Sequence, residues 1–422
     1  MREILQKKHR FLASFLPKPE AGRLVIVTGA RQTGKTTLAK DKYPHITYIS
    51  LDSPENREHL RAVSTVSWGQ SIGNAIIDEA QKEPVVFEKI KHAYDEGAIS
   101  FCLMLGSSQI LLLKKIRESL AGRVSIFELW PLMMSELYRD AGVSENTEVP
   151  LVDSLFTREG ELDDILGKLP EIILEEADFK LRACEDYLLQ WGGMPAILPL
   201  SGEERWKWLR DYEYTYLERD LGDLARLDDL VPFRTFQKLS ALRSARLLNY
   251  SEIARDASLS VETARRYLEY LKLSYQTILL QPYHKNITSS VIKTPKLYWL
   301  DIGLLRQMSG MRTGISGEIY ETMVVAEFVK WLKTTQRNAE IYFYRTRSGM
   351  ELDVILQTES GIVGIEIRAR KSVSPTDLKA MREVAKGLGK EWRGGLVIYL
   401  GGALKKVGEP DIWAVPSRRL FI

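Results

Sequence analysis

Cysteine is scarce in this chain. There are two in 422 residues, Cys102 and Cys184, far apart and each inside an apolar stretch. They read as buried thiols rather than a disulfide pair, which suits a reducing cytoplasm. Histidine is scarce too, and the five residues show no metal-ligand spacing, which argues against a zinc site. No apolar run reaches the roughly 18 residues that a membrane-spanning helix needs, so no membrane role is expected. The start, MREILQKKHRFLASFLPKP, is basic but lacks an apolar segment long enough for a secretory signal. An excess of one charge is also missing, because 59 basic residues face 56 acidic ones for a net charge of +3. That balance excludes a uniformly basic coat for nucleic acid, while a local basic face stays open.

What is present is a chain too long for one hydrophobic core, so two to four domains are expected. Its 45% hydrophobic and 27% charged content is that of an ordinary globular protein. The run Arg23-Leu-Val-Ile-Val-Thr28 is β-branched and apolar, as a buried parallel strand requires. It leads directly into Gly29-Ala30-Arg31-Gln32-Thr33-Gly34-Lys35-Thr36-Thr37, which matches G-x-x-x-x-G-K-[ST] and then continues as a helix. Glycines let the backbone turn so that successive N–H groups face phosphates, and the helix N-terminus adds partial positive charge. Lys35 is expected to reach the β- and γ-phosphates of ATP, and the Thr36 hydroxyl to bind Mg²⁺.

A second apolar strand, Ala75-Ile-Ile77, ends in Asp78-Glu79 about 50 residues after the loop. Asp78 is expected on the Mg²⁺ and Glu79 as the group that polarises the attacking water. A third strand, Phe101–Leu105, ends in Gly106-Ser107-Ser108, and Ser107 or Ser108 is the candidate sensor beside the γ-phosphate.

Further along the chain stand Asp78-Glu-Ala-Gln-Lys82, Gly106-Ser-Ser, Ser119-Leu-Ala-Gly-Arg123, Leu129-Trp-Pro-Leu132 with Glu136, Trp191-Gly-Gly-Met-Pro195 and Tyr216-Leu-Glu-Arg-Asp220. Together with the P-loop form, they resemble a prokaryotic AAA-type ATPase family whose members carry a C-terminal domain of unassigned function. The resemblance implies a homo-oligomer whose site is completed by an arginine from a neighbouring subunit. Arg123 is the candidate for that trans role, with Arg117 as its rival.

Residues 138–165 lack a sustained apolar period and read as an insertion or linker. A helical stretch follows, and its aromatic stripe Trp206, Trp208, Tyr212, Tyr214 and Tyr216 reads as packing. Ser251 is expected to start a short helix over 252–257, and Ser260 to cap a second over Val261–Lys272. Strands Gln276–Leu280 and Lys296–Leu300 come next, which is the order of a winged helix. Arg265 and Arg266 on the second helix are candidate DNA contacts, although the same helix carries Glu262 and Glu269. Docking of a protein partner is the alternative.

The last hundred residues start with Gly317–Leu332, expected as an amphipathic helix with Glu318, Glu321 and Glu327. Strands over Glu340–Arg345, Glu351–Leu356 and Ile362–Arg368 follow, then a helix near Pro375–Lys386 and a strand Gly395–Leu400. The pattern resembles the restriction-endonuclease-like fold, in which Asp and Glu-x-Lys hold Mg²⁺ and a helical Glu assists. The matching residues are Asp353, Glu366 and Glu321. Arg368 stands where that fold has lysine, and arginine stays protonated, so it cannot act as a base. Lys371 is near but out of phase along the strand. This favours a degenerate nuclease site kept for binding or assembly over one that cuts.

The expected architecture is α/β. A P-loop NTPase core of AAA type with a parallel sheet occupies 1–137, an insertion and helical lid-like region 138–235, a winged helix 236–310, and a small restriction-endonuclease-like α/β domain 311–422. The expected function is ATP hydrolysis by an oligomer, coupled to binding or remodelling of DNA. The alternatives are an ATP-gated nuclease or defence effector and a nucleotide-dependent protein-binding switch.

Overall fold

The computed structural model describes residues 7–106, 120, 122–140, 149–157, 162–217, 230–284 and 292–422. Strand β1 (Leu24–Thr28) is buried along its whole length. Helix α1 (Lys35–Lys42) follows the Gly-rich turn, and β2 (Thr47–Ser50) and α2 (Pro54–Ala62) come next. Ser53 caps α2 by accepting from the Asn56 amide. Then come β3 (Ala75–Asp78), α3 (Val85–Asp95), β4 (Cys102–Gly106) and β5 (Val124–Glu128). All five strands are parallel, in the order β2-β3-β4-β1-β5. One apolar cluster covers each face, as a parallel sheet flanked by helices requires. Because β4 lies between β1 and β3, the chain ends of all three open onto one crevice.

The stretch expected to be a linker is partly helical. Helices α4 (Leu151–Thr157) and α5 (Leu162–Leu166) bury Val152, Leu155, Leu162, Ile165 and Leu166 in the large core cluster. Each is too short to display an apolar period, and tertiary burial holds it. Helices α6 (Glu175–Trp191) and α7 (Gly202–Tyr212) follow. In the aromatic stripe, Trp208 stacks on Tyr212 at 5.1 Å and Trp206 tilts against Trp191 at 5.0 Å, so these residues pack. Both cysteines are free thiols.

Helix α8 (Val231–Ala241), β6 (Arg246–Leu247), α9 (Tyr250–Asp256), α10 (Val261–Leu273), β7 (Thr277–Pro282), β8 (Lys296–Trp299) and α11 (Ile302–Ser309) form the next unit. The first short helix starts at Tyr250, and its cap is Asn249, whose side chain accepts from the amides of Ser251 and Glu252. Ser251 is inside the helix because asparagine two residues earlier supplies the acceptor. Ser260 caps α10 as expected, and Ala264, Tyr267, Leu268 and Leu271 form its buried face.

Helix α12 (Gly317–Thr335) is not amphipathic, because it is buried on nearly every side from Ile319 to Thr335. It runs between the parallel sheet and a second sheet, so Glu327 and Lys330 are inside, whereas Lys333 stays exposed. Strands β9 (Ala339–Arg345), β10 (Glu351–Thr358) and β11 (Gly361–Arg368) make an antiparallel meander, and α13 (Lys379–Leu388) covers it. Strand β12 (Trp392–Tyr399) joins in parallel, then β13 (Lys405–Gly408), β14 (Ile412–Pro416) and α14 (Ser417–Phe421). Strand β7 pairs with β9, so the hairpin and the C-terminal strands make one sheet, ordered β13-β14-β12-β11-β10-β9-β7-β8-β6. The expected boundary at 310/311 is therefore crossed by a continuous sheet.

The Trp191–Pro195 motif is a joint. A Cβ on Gly193 would lie 2.1 Å from the Leu132 carbonyl oxygen, and one on Gly192 would lie 2.4 Å from Asp301 Oδ1. Gly192 also has φ 73°, which glycine adopts freely. The Leu132 amide donates to the Gly193 carbonyl at 2.7 Å, and Asp301 Oδ2 accepts from the Gly193 amide at 2.8 Å. The helical region is thus clamped between the core and the hairpin unit.

Candidate nucleotide site and a second carboxylate cleft

The P-loop bends because three of its residues take positive φ: Gly29 at 150°, Gln32 at 62° and Gly34 at 93°. At Gly29 a Cβ would lie 2.1 Å from the Leu129 carbonyl oxygen, since β5 runs alongside. Lys35 is buried, and its Nζ donates to the carbonyls of Gly29 and Ala30 at 2.9 and 2.8 Å. The ammonium is thus held inside the loop that phosphates would enter. Thr33 is buried and its hydroxyl donates to the Ala30 carbonyl at 2.9 Å, while Gln32 and Thr37 are exposed.

The Thr36 hydroxyl donates to Asp78 Oδ2 at 2.6 Å. Asp78 Oδ1 accepts from the Glu79 amide at 2.9 Å, and Oδ2 accepts from the Tyr48 hydroxyl at 2.7 Å. A hydroxyl and a buried carboxylate in contact at the loop's edge are the donor set that a hard divalent cation takes, so these residues fit Mg²⁺. Glu79 has φ 54°, and its Oε2 accepts from Gln81 at 2.6 Å. The backbone therefore turns sharply right after Asp78 and keeps the second carboxylate at the crevice.

Other parts of the chain grip this loop, and sequence reasoning missed them. Arg10 donates to the Thr33 carbonyl at 2.7 Å and the Trp130 carbonyl at 2.6 Å, and pairs with Glu136 at 3.2 Å. The Tyr212 hydroxyl of α7 donates to the Arg31 carbonyl at 3.1 Å. The Tyr275 hydroxyl, from the turn between α10 and β7, hydrogen-bonds to Thr28 immediately before Gly29. Nothing in the local pattern marks these residues, which are brought in by packing.

Arg123 pairs with Asp95 of the same chain at 2.6 Å and is partly exposed. Ser107, Ser108 and Arg117 lie outside the described residues. Arg265 and Arg266 are exposed on α10, and Arg265 lies 4.1 Å from the Tyr250 ring centroid. Glu262 and Glu269 share that exposed face.

A second cleft, of about 850 Å³, opens between the hairpin unit and the C-terminal strands. Its wall brings together Glu321, Asp353, Glu366 and Arg368, as the restriction-endonuclease resemblance implies, and adds Glu351 and Lys296. Lys296 Nζ is 2.9 Å from Glu321 Oε1 and 3.9 Å from Asp353 Oδ1, and pairs with Glu351. Arg368 pairs with Glu366 and Asp377 and lies 3.5 Å from Asp353. Burial alone would lower the Lys296 pKa, but Glu321, Asp353 and Glu351 outweigh it and hold the ammonium charged. Burial, together with the Asp353 charge, pushes the Glu321 carboxyl up. Among the described residues, no three His, Cys, Asp or Glu groups are placed to hold a metal ion. The carboxylates here face protein cations, so this set does not fit the Mg²⁺ of an active nuclease.

The P-loop, the Thr36–Asp78 contact and a five-stranded parallel sheet with β4 between β1 and β3 define a P-loop ATPase fold. Residues 21–138 match the family model described as an AAA domain. Residues 182–314 match a domain of unknown function, DUF8612, and residues 316–420 another, DUF4143. The chain is 28% identical over 373 residues to the uncharacterized protein Rv2008c of Mycobacterium tuberculosis, covering 85% of this chain and 73% of that protein. The same figures hold for uncharacterized protein Mb2031c of Mycobacterium bovis. Among solved structures, the Walker-type ATPase PABY2304 of Pyrococcus abyssi matches at TM-score 0.41 and 14% identity, over 70% of this chain and 94% of that one. The ORC2 protein of Aeropyrum pernix in its ADP form matches at TM-score 0.29 and 14% identity, over 61% and 81%. These structural likenesses are slight, and the class rests on the segment's own sheet, loop and family match. Among the described residues, no helix is long and apolar enough to cross a membrane.

Proposed function

We propose that this protein binds Mg·ATP at Gly29–Thr37 and hydrolyses it as an oligomer, coupling turnover to binding or remodelling of DNA. The observation that carries the reading is the Thr36–Asp78 hydrogen bond at the mouth of the P-loop, with Glu79 next along the chain. In this reading the backbone amides of the loop hold the phosphates, and Lys35 leaves the Gly29 and Ala30 carbonyls to meet the β- and γ-oxygens. Thr36 and Asp78 hold Mg²⁺, which when bound offsets charge on the phosphates. Glu79 orients and polarises the attacking water. Ser107 or Ser108 senses the γ-phosphate from the end of β4. Arg123 acts in trans on a neighbouring subunit, for which it must leave Asp95.

DNA is the proposed partner because the order α8-β6-α9-α10-β7-β8 is that of a winged helix. In this reading Arg265 and Arg266, both exposed on α10, meet phosphates or guanine edges. The C-terminal unit is read as a restriction-endonuclease-like scaffold that serves binding or assembly. A nucleotide-dependent protein switch is the second reading, favoured by the grip of Tyr212 and Tyr275 on the P-loop.

The test is ATP turnover with single-stranded, duplex and branched DNA, with oligomeric state followed in parallel. Stimulation by one form is expected. In Glu79→Gln, turnover should fall by roughly 100-fold or more, the scale of a lost general base, while ATP binding persists. Turnover indifferent to every DNA form, with no DNA binding, would sink the coupling and turn the search to a protein partner.

A further inference from the structure

We infer that the Lys296 ammonium takes the place of a divalent cation among Glu321, Glu351, Asp353 and Glu366, making the second cleft a metal-independent joint between β8 and the C-terminal unit. The lysine does not come from the C-terminal unit itself. It enters from β8, a hairpin strand more than fifty positions earlier in the chain than Asp353, and its side chain is only 3% exposed. Three carboxylates from two elements converge on it. Glu321 comes from α12, at 2.9 Å, and Glu351 and Asp353 come from β10.

An ammonium has donors and no acceptor, so Lys296 donates to Glu321 and Glu351 and offsets the charge of Asp353 at 3.9 Å much as a cation would, without displacing their other partners. Those partners are protein groups. Glu321 Oε1 also accepts from the Tyr298 hydroxyl at 2.6 Å. Glu351 Oε2 pairs with Arg345 at 2.8 Å. Asp353 Oδ2 accepts from the Ile367 amide at 2.8 Å. Glu366 Oε1 pairs with Arg368, which leaves Glu366 Oε2 as the buried oxygen of the cluster with no hydrogen-bond partner. One unpartnered oxygen falls short of the convergent set that Mg²⁺ or Mn²⁺ demands, at about 2.0–2.1 Å for Mg²⁺. Removing the ammonium would leave several buried carboxylates facing one another, and a divalent cation is the simplest group to relieve that repulsion.

The test is Mn²⁺ uptake by the full-length chain without nucleotide, read from the loss of the free Mn²⁺ paramagnetic resonance signal. The wild-type chain, Asp353→Asn and Glu366→Gln should take up equal amounts, because no ion sits in this cleft. Lys296→Met should gain one equivalent, and Lys296→Met with Asp353→Asn should lose it again. Wild-type uptake that falls by one equivalent in Asp353→Asn or Glu366→Gln overturns the inference. So does a Lys296→Met chain that keeps its circular dichroism yet gains no Mn²⁺. Should Lys296→Met fail to fold, the comparison of wild type with the two carboxylate variants still decides the matter.

Discussion

At the scale of single residues, two kinds of position carry this protein. Lys35, Thr36 and Asp78 sit where a nine-residue motif and a strand end mark them locally: Lys35 bonds within the loop, and Thr36 meets Asp78 at the end of β3. Gly193 acts through what it lacks. Its missing Cβ lets the Leu132 carbonyl approach to a point 2.1 Å from where that carbon would be. Backbone, not a flexible side chain, is the obstacle, so relief requires the joint to open. Gly193→Ala should therefore destabilise the chain by about 1–3 kcal/mol or more, as overpacking does. A shift of the urea midpoint to lower concentration would show it, and an unchanged midpoint would mean that the joint yields without strain.

At the scale of elements, the last helix is held by one buried ionic network. Arg418 of α14 is 1% exposed and forks onto Asp178 of α6 at 2.7 and 3.1 Å, with Glu185 at 3.4 Å. Ser417 donates to Glu185 and shares a hydrogen bond of 2.6 Å with Tyr320 of α12. Removing one partner leaves buried charge uncompensated, so Arg418→Met should cost about 3–5 kcal/mol. Burial would raise the Asp178 pKa, but Arg418 and then Arg182 outweigh it and hold it below the ordinary value. A depressed folded pKa stabilises the fold above the unfolded value, and that stability is lost as pH falls through the folded one. Unfolding free energy of the wild-type chain should thus drop more steeply below about pH 4, the ordinary Asp range, than that of Arg418→Met. Parallel acid limbs in the two chains would argue against the pairing. The helices over 151–166 and the burial of α12 belong to this scale as well. The former are too short to show a period, and the latter carries glutamates at a spacing that suits a solvated face, yet Glu327 is buried and pairs with Lys330 at 3.2 Å.

At the scale of the molecule, the units meet at the P-loop. Tyr275 takes φ 61°, an uncommon conformation for a bulky residue, at the turn that leaves α10. Its hydroxyl reaches Thr28, the residue before Gly29, and its ring meets Trp130 edge-on at 5.1 Å. A loop that rearranges around ATP would therefore pull on the exit of α10. ATP should alter amide hydrogen exchange across 270–283, and Tyr275→Phe should weaken that response by removing a bond worth about 1 kcal/mol. An identical response in the variant would place the coupling elsewhere, with Tyr212 the next candidate.

By itself the sequence determined the parallel sheet, the P-loop, the two carboxylates at the end of β3 and the order of elements from α9 to β8. Each is written in neighbouring residues, through apolar period, turn chemistry and caps. Only the tertiary structure decided that β7 pairs with β9 to fuse two units into one sheet, and that Arg10, Tyr212 and Tyr275 hold the loop. It alone brought Lys296 into the cluster of Glu321, Glu351 and Asp353. The physical reason is distance along the chain. A lysine on a strand has the same local pattern whether it faces water or a cluster of carboxylates, and only packing sets which charges it meets.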